Sequence, residues 1–197
     1  MQLTKVMDAV ELTRQMIDIP SVSGDEGPLA DAVEAALRDA GFGTLPSLEI
    51  LRDGDAVCAR TRLGLDQRVV LAGHLDTVPI ADNVPGRFEE RDGATVLWGR
   101  GSVDMLGGCA AALALACEAG GAIRGGDETA LSVDVTWIFY DHEEVASHLN
   151  GLGRVQRNHP EWLAGDLALL GEPTAAHVEG GCNGTLRVIA HFPGRAA

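Results

Sequence analysis

The chain reads as an α/β protein built on a twisted, mostly parallel sheet. Apolar runs of strand length alternate with stretches of helical periodicity. Three of the runs, RVVLAG, VDVTWIFY and LALL, are apolar enough to be read as buried strands. Each is followed within a few residues by a side chain of metal-ligand type, and strand ends in open α/β sheets are where such folds place their chemistry.

The elements follow in order. Val6 to Ile19 has apolar residues at helical spacing, and the Ile19-Pro20 step ends that helix. Pro20 to Gly24 reads as a turn, and Asp25 to Ala40 as a second amphipathic helix closed by Gly41 and Gly43. Short strands are expected at Leu48 to Leu51 and Ala56 to Thr61, a central strand at Val69 to Ala72, and another at Thr95 to Trp98. Ser102 to Glu118 is Ala- and Leu-rich with little polarity, which predicts a buried helix, and Ala119 to Glu128 reads as a Gly-rich surface loop. Val133 to Tyr140, β-branched and aromatic, is the strongest strand signal in the chain. Leu149 to Asn158 is expected to be helical and Asp166 to Leu170 a strand. Thr185 to Phe192 then reads as a new strand that stops with nothing to pair against, as if the chain had just entered a second domain.

The chain has 197 residues, 46% hydrophobic and 22% charged, the profile of one globular domain with a proper core. Its formal net charge of -14 argues against nucleic acid or an anionic membrane surface as partner. The N-terminus has no basic-then-apolar signal pattern, and no apolar run is read as long enough to span a bilayer, so the expected compartment is the cytoplasm. Cys58, Cys109, Cys117 and Cys182 have no CxxC spacing and read as small buried thiols without a role.

Four segments carry the chemistry. In GHLDTVP, His74 and Asp76 are two apart and share one face of a strand, so Asp76 is placed to orient a metal-bound imidazole; alone, the pair reads equally as a polar turn. In GRGSVDMLGG the glycines allow a tight turn into a helix. Asp104 occupies the third glycine position of a dinucleotide fingerprint, where it would repel a pyrophosphate, so that reading is rejected. Asp104 fits a helix cap, a carboxylate bridging two cations, or both. In FYDHEEV, the adjacent carboxylates of Glu143 and Glu144 repel unless a cation neutralises one, which leaves the other as a base toward water. His142 reads as flanking. In LLGEPT, Glu172 counts only as a partner of the others. One imidazole and several carboxylates converging at strand ends suit a hydrolytic zinc site. The remaining histidines have no motif around them, and Ser102 lacks the GxSxG elbow of a serine hydrolase.

The ordered set GHLDTVP, GRGSVDM-GG, HEEV and GEPT resembles the co-catalytic zinc aminoacylase and carboxypeptidase family over nearly all 197 residues. The resemblance implies a three-layer zinc-exopeptidase-like catalytic domain over residues 1–181, with residues 182–197 opening a lid and dimerisation domain. It implies two zinc ions, with cobalt as a possible substitute. His74 and Glu172 would hold the first zinc, Asp104 would bridge, and Glu144 would bind the second. Glu143 would be the general acid/base, Asp76 would orient His74, and the Asp104-Met105 peptide would be cis. The family's DMKGG appears here as DMLGG, with Leu106 in place of lysine. A later His that completes the second zinc site, and another from the lid, are not found in these residues, so the second site is expected to be incomplete.

The implied activity is hydrolysis of a small N-acyl amino acid amide by a homodimer. Within the family, AGHLDTVP, GLGRVQRNHPEWL and LALLGEPTAAHVEGGCNGTLRV resemble the desuccinylase branch most, which implies N-succinyl-LL-2,6-diaminopimelate as substrate. A related deacetylase, a carboxypeptidase, or a non-catalytic metal-binding fragment are the alternatives.

Overall fold

The computed structural model of the chain describes residues 2–4, 8–127, 129–181 and 188–194. Helix α1 (Ala9–Ile17) starts at Asp8, whose carboxylate accepts the amides of Val10 and Glu11. Val6 and Met7, included in the expected helix, lie outside the described residues. Helix α2 (Gly27–Ala40) has Pro28 in its first turn and ends on Gly41 at φ 117°, a left-handed position that favours glycine.

Strands β1 (Leu48–Asp53) and β2 (Ala56–Thr61) form a hairpin, followed by β3 (Arg68–His74). A second hairpin, β4 (Arg87–Arg91) and β5 (Ala94–Trp98), stands apart from the main sheet. The reading of the sequence had β5 but not β4, although Asp92-Gly93 is the dipeptide a two-residue hairpin turn requires. Both residues have the positive φ of such a turn, 50° and 78°.

Helix α3 (Leu106–Arg124) corrects two expectations. It begins at Leu106 rather than Ser102, with Met105 at the cap position, so Asp104 lies in the preceding turn and caps nothing. It also runs on to Arg124 instead of giving way to a loop at Ala119. The glycine that looked like a breaker permits close packing: a Cβ on Gly120 would come within 2.8 Å of the Phe42 ring. After β6 (Asp134–Tyr140) a short 3-10 turn, Ser147–Leu149, precedes helix α4 (Gly151–Asn158), and a second, Pro160–Trp162, leads to β7 (Leu167–Leu170).

The main sheet has the order β1-β2-β6-β3-β7. Strand β6 pairs parallel with β3, β3 parallel with β7, and β2 antiparallel with both β1 and β6. Four strands therefore run one way and β2 alone opposes them. Alternation along each strand splits the core in two. Val57, Ala59, Val135, Trp137 and Phe139 pack with α1, α2 and α3 on one face; Cys58, Val70, Ala72, Ile138 and Tyr140 pack with Val155 of α4 and Trp162 on the other. The result is a three-layer α/β arrangement.

Strand β7 is not buried as LALL was expected to be. It has one neighbour among the described residues, and Leu167, Leu169 and Leu170 are about half exposed. Helix α3 is, by length and composition, apolar enough to cross a membrane, contrary to expectation, yet it packs as a core helix. Of the strand expected over Thr185 to Phe192, residues 185–187 lie outside the described residues, and Val188 to Phe192 are exposed and without regular structure. Cys58, Cys109 and Cys117 are free and buried; Cys182 lies outside the described residues.

Candidate metal centre

The parallel strands β3, β6 and β7 end on the same edge of the sheet, and the chemistry-bearing segments begin there. His74 is the last residue of β3 and is 1% exposed. Its backbone is fixed by two sulfurs: its N–H donates to Met105 Sδ at 3.3 Å, and its carbonyl accepts the Cys109 thiol at 3.1 Å. Cys109, given no role from sequence, therefore helps hold this residue. Burial pushes the Cys109 thiol far above its ordinary value, with the charges of Glu172 and Asp76 adding to the effect, so it stays a protonated donor.

The His74 ring lies between carboxylates. Nε2 is 3.1 Å from Asp104 Oδ1 and 4.0 Å from Glu172 Oε1. Nδ1 is 2.9 Å from the carbonyl oxygen of Asp76 and 3.5 Å from its Oδ1. The nearer acceptor for Nδ1–H is thus the Asp76 backbone, and Nε2 is left facing the acidic groups. Burial disfavours a charged imidazole here, but the Asp76 carboxylate and carbonyl, with Glu172, outweigh it and raise the His74 pKa to about 9.

Freed from sole attention to His74, the Asp76 carboxylate does something the sequence did not reveal. It accepts the amide of Glu143 at Oδ1 (2.9 Å), the amide of Glu144 at Oδ2 (3.0 Å) and the Ser23 hydroxyl at 2.7 Å. Burial alone would raise its pKa; these donors and His74 instead lower it to about 2. One side chain thereby joins the end of β3 to the turn after β6.

Asp104 is half exposed at the end of the Gly99 to Asp104 turn, and its peptide bond to Met105 is cis. Glu172 follows β7, where the Gly171 amide donates to the Ala72 carbonyl. Burial raises the Glu172 and Glu144 pKa values, and neighbouring carboxylates raise them further against the opposing effect of His74. Ligand atoms of His74, Asp104 and Glu172 lie within 4.8 Å of one another, and so do those of His74, Glu143 and Glu144. All six side chains singled out in the sequence meet at this edge. A donor set of one imidazole nitrogen and several mutually repelling oxygens fits a divalent cation.

Comparison with known proteins bears on the same segments. The model of peptidase family M20/M25/M40 matches residues 70–188, which run from within β3 past β7 and include every one of these side chains. The chain belongs to that family. Among curated relatives, the succinyl-diaminopimelate desuccinylase of Corynebacterium glutamicum is 50% identical over 92% of this chain and 46% of its own length. That of Methylocella silvestris is 34% identical over 91% of this chain and 49% of its own. The chain thus spans about half the length of the curated relatives it matches.

Solved structures of M20 type share the fold at low identity. The metallo-carboxypeptidase Sso-CP2 of Sulfolobus solfataricus matches with a TM-score of 0.60 at 16% identity, over 83% of this chain and 37% of that one. Human carnosine dipeptidase 1 matches at 0.57 and 19% identity, over 85% and 40%. The M20 family is metal-dependent, and His74, Asp104 and Glu172 form one of the two groups among the described residues that suit an ion.

Proposed function

We propose that these residues form the metal-binding and proton-transfer part of an amidohydrolase that cleaves N-succinyl-LL-2,6-diaminopimelate to succinate and LL-2,6-diaminopimelate. The observation that carries the reading is the approach of His74, Asp104 and Glu172 to one another, with Glu143 and Glu144 forming a second such group with the same imidazole. The desuccinylase branch is supported by the 50% identity to a relative of that name.

His74 and Glu172 would hold one zinc, Asp104 would bridge, and Glu144 would serve a second, with cobalt able to substitute. Bound there, the metals would acidify a water, to a pKa of about 7, and polarise the amide carbonyl. The chain's own residues supply the rest. Glu143, assigned as base rather than ligand, would take a proton from the attacking water and return it to the departing amine. Asp76 orients His74 through its carbonyl and holds the amides of Glu143 and Glu144. Residues 1–181 are read as the catalytic domain and residues 182–197 as the start of a lid and dimerisation domain. The full-length protein is read as a cytoplasmic homodimer, without nucleic-acid or membrane partners, in keeping with its net charge of -14.

The test is an assay of the full-length gene product on N-succinyl, N-acetyl and peptide substrates. Preferred turnover of the succinyl amide is expected. Turnover of acetyl or peptide substrates alone would replace the desuccinylase reading by a sister activity. Stoichiometric zinc without turnover of any of the three would overturn the catalytic reading.

A further inference from the structure

We infer that Glu26, acting with Ser23, is a positioning residue for the turn that carries Glu143 and Glu144. Glu26 is a fully buried carboxylate, 0% exposed, at the start of α2, far in sequence from the ligand segments. Its Oε1 accepts the backbone N–H of His142 at 3.2 Å and lies 3.4 Å from His142 Nδ1; its Oε2 accepts the N–H of Gly24 at 2.9 Å. The neighbouring Ser23 hydroxyl donates to Asp76, which in turn accepts the amides of Glu143 and Glu144. These bonds close a ring: Glu26 to His142, along the backbone to Glu143 and Glu144, to Asp76, to Ser23, and back through Gly24. Three consecutive amides, at 142, 143 and 144, are each held by a carboxylate from another element.

The segment that supplies Glu26 and Ser23 is itself anchored. The Thr77 amide donates to the Ser21 carbonyl at 2.9 Å, and the Ser23 amide donates to the Thr77 carbonyl at 3.2 Å. His142 stands at φ 60°, a left-handed conformation that L side chains avoid unless the surroundings impose it. Glu26 accepts the amide of that residue, and Asp141 accepts from its ring at 2.7 Å. A buried carboxylate is costly unless its hydrogen bonds are made, so Glu26 commits the turn to this one geometry. Ser23 and Glu26 also match the S-x-x-E pattern of a capping box, but α2 has no side-chain cap, because both side chains are turned to this ring instead.

The test needs neither metal nor turnover. Amide hydrogen exchange is measured on the 197-residue chain, wild type and with Glu26→Gln or Ser23→Ala. Protection of the amides of residues 142–144 should fall about tenfold or more in Glu26→Gln, and those of 143 and 144 in Ser23→Ala. Protection of Thr136 to Phe139 in β6 should stay unchanged. Unchanged protection at 142–144, or an equal loss along β6, would overturn the inference, the latter making Glu26 a general stability residue. The kinetic consequence rests on the amide-hydrolysis reading: in the full-length enzyme Glu26→Gln should lower kcat with KM unchanged, and should lower occupancy of the metal that Glu144 would hold while the zinc of His74 and Glu172 stays. Wild-type enzyme inert on every acyl substrate, with the local exchange effect present, would sink that reading and leave the positioning role standing. A Glu26→Gln enzyme with wild-type kcat would count against the positioning role.

Discussion

Glu143 and Glu144 are adjacent, share one hydrogen-bonded turn and carry the same functional group, yet the proposed mechanism gives them different work. Changing Glu143 to Gln in the full-length protein should leave zinc content intact and abolish turnover. Changing Glu144 to Gln should lower metal occupancy first. Equal loss of zinc in both, read by metal analysis, would refute the division. A second residue tests the other end of the sheet. The Asp134 carboxylate accepts the Thr61 hydroxyl at 2.6 Å and the amides of Leu63 and Leu65 at 2.9 and 3.2 Å. Burial pushes its pKa up, but these donors and Arg68 bring it below the ordinary carboxylate value. A depressed folded-state pKa means stability that is present above about pH 4, the unfolded value, and lost as pH falls through the folded one. Asp134→Asn should therefore cost about 1–3 kcal/mol at neutral pH and flatten the acid limb of the stability curve. Urea melts from neutral to acid pH that show the same acid slope in both proteins would count against it.

Between residues and molecule, the elements show what patterning reveals. β2 coincides with its expected span, and β3 and β6 differ from theirs by a few residues at most, because strands buried on both faces are mostly apolar and β-branched, with their few polar residues near the strand ends. The C-terminal end of α3 was misjudged because glycine has two meanings. At Gly120 it marks contact rather than a break, and Gly108 is a second case. A Cβ on Gly108 would collide with the Gly171 carbonyl, directly before Glu172. Gly108→Ala should thus push α3 and the β7 turn apart, costing about 1–3 kcal/mol, and should weaken zinc binding through displaced Glu172. Calorimetric melting and a zinc titration that both match the wild type would disprove the coupling. The convergence of the six candidate residues was legible because metal chemistry limits donors to few residue types. Ser23 and Glu26 were not: Ser, Gly and Glu before a helix are what any helix start contains, and only the approach of Glu26 to His142, 116 residues on, and of Ser23 to Asp76, 53 residues on, distinguishes them.

At the scale of the molecule, the two groups of ligand atoms share His74 as their nitrogen donor. Nδ1 is engaged by the Asp76 carbonyl, and the one remaining imidazole nitrogen serves one ion, so titration of the 197-residue chain should show a single tight zinc and a much weaker second. Two equally tight sites in calorimetry would mean that another donor completes the pair. The half-exposed leucines of β7 form an apolar strip on a sheet edge with no further neighbour among the described residues. Light scattering should show self-association that grows with concentration and is reduced by Leu169→Lys; a wild-type chain that stays monomeric would rule this out.

Helix α3 raises a question of timing rather than of final structure. A 19-residue stretch this apolar, leaving the ribosome unaccompanied, would present the features by which membrane-inserting machinery selects its substrates. The order of the chain guards against this. α1, α2 and β3, which all pack on α3, precede it in the chain and have already emerged when it appears; of its principal partners β6 alone follows. Synthesis from the N-terminus thus supplies most of the cover before the segment that needs it. A chain begun after residue 41 would meet the translation machinery with α3 bare of α1 and α2, and should be retained by chaperones or diverted to membranes where the 197-residue chain is released.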